Sequence, residues 1–139
     1  MVLEKVAKHF AFLCCGGKMK EEIVIYDQGR INEITDFIHD CWFDIDKIVF
    51  EQESRTLKIF FVKDEDTSKK VFSEYCLNFF SVVSYKIVDS EKIGLYDFNK
   101  LIYNPMLHEI AILTGVPIDI RIKIEEFKIS LTRLKCPSQ

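Results

Sequence analysis

Three side chains have the most reactive spacing in the chain. Asp36, His39 and Asp40 fall at i, i+3 and i+4, neighbouring positions on one helical face. A carboxylate beside an imidazole raises the imidazole pKa and orients it as a general base. The same trio offers oxygen and nitrogen ligands to a divalent metal. The chemistry to expect there is metal binding or small-ligand catalysis by a helix-borne Asp36, His39, Asp40 cluster. The pattern D-x-x-H-D is short, and a solvated polar face opposite a core produces it equally well.

Other reactive residues lack partners at useful spacing. His108 and Glu109 read as consecutive strand residues, which point to opposite faces. Cys41 sits beside Trp42 on an apolar helical face, the place of a small hydrophobe. His39, two residues away, lies about 200° around the helix axis and cannot activate that thiol. The glycines, Gly16, Gly17, Gly29, Gly94 and Gly115, form no phosphate-binding loop. Neither G-x-S-x-G nor H-E-x-x-H occurs. No cofactor is expected beyond the candidate metal.

The elements that must position these residues follow from hydrophobic period. Ile31, Ile34, Phe37, Ile38, Cys41 and Trp42 predict an amphipathic helix over 30–42, with Asp27 as its cap. Ile23 to Tyr26 reads as a short strand. Ile45 to Glu51 and Thr56 to Lys63 read as a hairpin around Gln52-Glu53-Ser54-Arg55. Val71 to Asp89 predicts two short strands or one bent strand, breaking near Leu77-Asn78. Phe79 to Val88 is apolar on both faces and predicts a central, doubly covered strand. Ser90 to Asn104 is mixed, with Asp97 to Tyr103 as a helical turn or a short edge segment. Leu107 to Thr114 is a strand that Gly115-Val116-Pro117 turns back.

The last strand carries a phase slip. Ile118, Ile120, Ile122 and Ile124 alternate with polar residues, and then Phe127, Ile129 and Leu131 continue on odd positions. A one-residue slip sends the apolar set to the other face, so a bulge or sharp bend is required at Glu125-Glu126. The fold class is α+β, mainly antiparallel: six or seven strands curved into a half-barrel or open sandwich, with one clear helix. No strand–helix–strand alternation supports a parallel α/β fold.

Composition sets the outer limits. The chain has 139 residues, 48% hydrophobic and 29% charged, which suits one globular domain with its own core. A net charge of −3 argues against a nucleic-acid partner. Arg121, Lys123 and Lys128 share their strand with Asp119, Glu125 and Glu126. Five cysteines without a C-x-x-C pair exclude a zinc ribbon and a disulfide framework, and favour a reducing, cytoplasmic setting.

Residues 1–18 read as an extension or docking helix, 19–135 as the globular domain and 136–139 as a frayed tail. Val2, Leu3, Val6, Phe10, Leu13 and Cys14 share one helical face, which Gly16-Gly17 would end. Lys5, Lys8, Lys18 and Lys20 surround it, so residues 2–14 also suit a membrane surface. No run reaches the roughly 20 apolar residues that span a bilayer.

Function is read from what remains. Twelve Phe, five Tyr and one Trp give more apolar strand surface than one helix covers. Phe79, Phe80, Val82 and Tyr85 are the expected interaction surface, for a second copy in a homodimer or for another protein. The leading expectation is a non-catalytic protein-interaction or self-associating module. The alternatives are an enzyme built on Asp36, His39 and Asp40, and a peripheral membrane protein.

Overall fold

The computed structural model describes residues 22–66 and 68–134. The chain opens with β1 (Glu22–Ile25), a 3₁₀ turn (Gln28–Arg30) and α1 (Ile31–Ile38). Then come β2 (Trp42–Asp44), a second 3₁₀ turn (Ile45–Lys47), β3 (Val49–Glu51), β4 (Thr56–Asp66) and β5 (Val71–Phe79). The remainder is β6 (Val82–Val88), β7 (Leu95–Asn104), β8 (Glu109–Thr114), β9 (Asp119–Ile124) and β10 (Ile129–Arg133). The strands form one ten-stranded sheet in the order β1-β10-β5-β4-β2-β7-β8-β9-β6, with β3 also paired to β4. Every pairing among the described residues is antiparallel. The α+β, antiparallel expectation holds. The count of six or seven strands is too low, because β2 and β7 form where the sequence reads as a helix end and a mixed segment, and a bend divides the last apolar run into β9 and β10.

The bends occur as a pair. β5 and β6 are separated by Phe80 and Ser81, and β9 and β10 by residues 125–128. The two breaks bond to each other: the Phe80 amide donates to the Lys128 carbonyl at 3.1 Å, and the Glu125 amide to the Ser81 carbonyl at 2.9 Å. Ser81 takes φ 55°. β5 pairs with β10 on one side of the bends and β6 with β9 on the other. Followed through them, the pairing runs from β2 through β4, β5/β6, β10/β9, β8 and β7 back to β2. The bend at Glu125-Glu126 stands where the phase slip requires it. The break in the preceding run lies at Phe80-Ser81 rather than Leu77-Asn78, because it must face its neighbour's bend.

One face of the ladder forms the core. Leu57, Ile59 and Phe61 of β4 pack with Tyr75, Leu77 and Phe79 of β5, and with Ile129 and Leu131 of β10. Phe98 stacks on Phe43 at 4.5 Å and meets Phe61 edge-on at 5.5 Å. Helix α1 adds Ile34, Phe37 and Ile38, all buried, and each contributes about 1.5–3 kcal/mol of apolar burial. Phe37 meets Tyr75 edge-on at 5.1 Å.

Helix α1 ends four residues before the predicted 30–42 boundary. Asp27 caps the preceding turn, accepting from the Gly29 amide at 2.8 Å. After Ile38 the chain is captured by β7: the Asp40 amide donates to the Phe98 carbonyl, and the Phe98 amide to the Cys41 carbonyl, both at 2.9 Å. Asp40 adopts φ 67°, a left-handed position that ends a helix. Trp42 therefore begins a strand instead of closing a helix. Asp97 to Tyr103 lies within β7, between β2 and β8, so it is central and not a helical turn or an edge. β6, expected to be central, is an end strand of the sheet.

No helix of the described residues is long and apolar enough to cross a membrane. The expected helix over residues 2–14, the rest of segment 1–18 and the tail 136–139 lie outside the described residues.

Candidate functional site

The outward face of the sheet carries the most unusual surface. Strand alternation sends Phe61, Phe43, Tyr96 and Tyr75 inward and their neighbours outward. Trp42 pairs with Val62, Asp44 with Leu95 and Asp64 with Phe72, so these side chains share the outward face. Exposures there are 55% for Trp42, 45% for Val62, 53% for Leu95, 43% for Phe72 and 37% for Phe60. Trp42, Phe60, Val62 and Leu95 line a shallow cavity of about 460 Å³, edged by Asp44, Lys47 and Glu74. Helix α1, the only α-helix among the described residues, packs on the other face.

The same face continues toward β1 as a second concavity of about 460 Å³, which shares Phe60 and reaches Phe80 and Leu134. Its floor is a hydrogen-bonded chain. Cys76 donates to Asn78 Oδ1 at 3.2 Å, and Asn78 Nδ2 donates to Ser130 Oγ at 2.9 Å and Thr132 Oγ1 at 3.3 Å. Thr132 Oγ1 donates to Glu22 Oε2 at 3.4 Å. Cys76, Asn78 and Ser130 are buried, so these bonds answer the desolvation of their polar atoms.

A polar cluster also stands at the end of the core. Glu65 accepts from the Tyr75 hydroxyl and lies 3.3 Å from Arg133 Nη2, which donates to Ser73 Oγ at 2.9 Å. Arg133 is 4% exposed, and its Nε and Nη1 have no partner among the described residues. Burial first, and then the bond to Glu65, push the Tyr75 phenol above its ordinary range. Lys63 Nζ donates to the Phe37 carbonyl at 2.9 Å, closing the end of α1.

The expected metal cluster loses its geometric premise. Asp36 lies in the last turn of α1, but His39 and Asp40 come after the helix ends. His39 has the extended value ψ 131° and Asp40 turns left-handed. His39 Nδ1 lies 3.2 Å from Asp40 Oδ2, and both are exposed. Among the described residues no three His, Cys, Asp or Glu side chains are grouped to hold a metal ion. His108 is not a strand residue: it occupies the β7–β8 turn at φ 50°. No ion pair among the described residues joins it to Asp36, His39 or Asp40.

The four residues expected to form an interaction surface divide between the core and the surface. Phe79 and Val82 are core residues at 0% and 1% exposure. Phe80 is half-buried beneath the Lys128 ammonium, 4.4 Å from its ring centre. Tyr85 is exposed but leans on Phe50 at 5.1 Å. The outward patch was missed because helical periodicity assigns Trp42 to a core stripe. The usable signal was Phe60 and Val62, which alternate with Leu57, Ile59 and Phe61 and therefore require a second apolar face.

Comparison of the chain with protein-family models, curated proteins and solved structures finds no match.

Proposed function

We propose that this chain is a non-catalytic protein-interaction module that self-associates as a homodimer through the outward face of β2, β4, β5 and β7. The supporting observation is the contiguous set Trp42, Val62, Leu95, Phe72 and Phe60, each more than a third exposed on one sheet face. Soluble monomers rarely expose large contiguous apolar patches, and such patches mark interaction sites. A sheet face is self-complementary under a two-fold axis, so a second copy can bury it without another surface. The rim charges Asp44, Lys47 and Glu74 carry both signs, which allows them to pair across that axis. Among the described residues no three His, Cys, Asp or Glu side chains are grouped to hold a metal ion.

Trp42 is the only tryptophan and stands in the patch, so its fluorescence reports the interface directly. The test combines native mass spectrometry with acrylamide quenching over a dilution series. The expected result is a dimer in which Trp42 is shielded, with exposure rising as the dimer dissociates. Val62→Glu should give a folded monomer with Trp42 open at every concentration. A wild-type monomer throughout the series would overturn the proposal.

A further inference from the structure

Two strand edges face each other without backbone pairing. Among the described residues β3 pairs only with β4, and β6 only with β9. The chain pins the two together at both ends: the Val82 amide donates to the Arg55 carbonyl and the Ile45 amide to the Gly94 carbonyl, each at 2.9 Å. Between those pins no backbone hydrogen bond among the described residues joins β3 to β6. Phe50 stands opposite Leu57, and Tyr85 opposite Ile122. Leu57 and Ile122 are core residues, so both rings point inward. They meet at 5.1 Å and floor a seam whose backbone edges stay unpaired above them.

The residues of β6 suit a strand with neighbours. Val82–Val88 reads VVSYKIV, an apolar run of the kind found in covered strands. Yet Val83, Tyr85 and Val88 are exposed, as is Val49 across the seam. Edges guarded against pairing carry bulges or lysines. Here the bulge lies at one end, between Val82 and Ser84. The Lys86 ammonium is drawn to Asp119 of β9 at 3.3 Å, away from the open edge. Ser84 to Val88 keeps a regular register. A row of unpaired amides and carbonyls selects one kind of occupant, which is another strand.

We propose that the β3–β6 seam binds an extended segment of a partner protein, which adds as a strand to the open edge of β6. The segment carries apolar residues at alternate positions. Its inward side chains rest on Phe50 and Tyr85, and its outward ones pass between Val49 and Val88. None of these residues belongs to the Trp42 face, so this recognition goes beyond self-association and does not rest on it.

Amide exchange of the full chain, read residue by residue by NMR, tests it. The probe is a peptide of residues 118–124, which contains β9, the strand that already pairs with β6 on its other edge. Without peptide, the β6 amides on the open edge should exchange at least about tenfold faster than those bonded to β9. Saturating peptide should slow the open-edge amides at least about tenfold. The same peptide with N-methylated backbone amides keeps the side chains, loses the donors and should give no slowing. Tyr85→Lys removes half of the aromatic floor and should weaken the peptide at least about tenfold. If Tyr85→Lys disturbs the sheet, the N-methylated peptide decides alone. Unchanged exchange with peptide, or equal slowing by both peptides, overturns the proposal. Open-edge amides already slow before peptide is added overturn it too, since the chain or a second copy then covers that edge.

Discussion

Trp42 and Val62 stand opposite each other across the β2–β4 ladder, and both are open to solvent. One position along β2, Phe43 is 1% exposed and stacks on Phe98. Adjacent strand residues thus have opposite energetic roles. Trp42→Ala should change the unfolding free energy by less than about 1 kcal/mol in the monomer. Phe43→Ala should cost about 3–5 kcal/mol, through lost burial and an unfilled cavity. Urea unfolding followed by circular dichroism separates the two, since the first variant lacks the fluorophore. Equal losses would mean that the outward face is as buried as the core.

Asn78 joins β5 to β10 through its side chain, bonding Cys76 on its own strand and Ser130 and Thr132 on the neighbouring one. Asn78→Leu keeps the volume and removes the bonds, leaving the buried Ser130 hydroxyl without its donor. The expected loss is about 1–3 kcal/mol. Ser130→Ala should cost less in the Asn78→Leu background than in the wild type, because the shared bond is already gone. Strict additivity in that cycle would contradict the network.

The thiols of Cys41 and Cys76 are both buried, and burial pushes each up to about 11. At pH 8 both should resist alkylation in the native protein and react on unfolding. The sign of the stability effect follows from the raised values. The fold favours the neutral thiol, so the contribution is complete below the ordinary thiol value of 9.0 and is lost as pH rises toward about 11. Thermal midpoints should fall across that window, and less steeply in Cys41→Ala/Cys76→Ala. An unchanged slope in the double variant would reject the assignment.

Arg133 holds Glu65 from inside the protein while two of its own nitrogens lack partners among the described residues. Removing one member of such a pair leaves an uncompensated group, so Arg133→Met should destabilise by about 2–4 kcal/mol. Adding Glu65→Gln to Arg133→Met should recover part of that loss, because no half-buried carboxylate then lacks its cation. Denaturation of both single variants and the double variant measures the coupling. A double variant less stable than the sum of the singles predicts would place the cost elsewhere.

Local pattern and tertiary environment contributed different parts of this molecule. The amphipathic face of Ile31, Ile34, Phe37 and Ile38 is visible in the sequence, as are the β3–β4 turn and the bend at Glu125-Glu126. Each is a periodicity or a phase change within a few residues, and backbone geometry turns it directly into orientation. The helix end was not legible. Cys41 and Trp42 fit the helical period, but β7, more than fifty residues later, bonds residues 40 and 41 and draws them into a strand. The i, i+3, i+4 helical spacing of Asp36, His39 and Asp40 depended on that same boundary, and only Asp36 lies within the helix. The break at Phe80-Ser81 likewise answers a partner strand distant in sequence. Sequence alone determined the α+β, antiparallel character and which residues are apolar. Only the tertiary structure decided which apolar residues remain uncovered, because coverage depends on what packs against a face, and that is a long-range property.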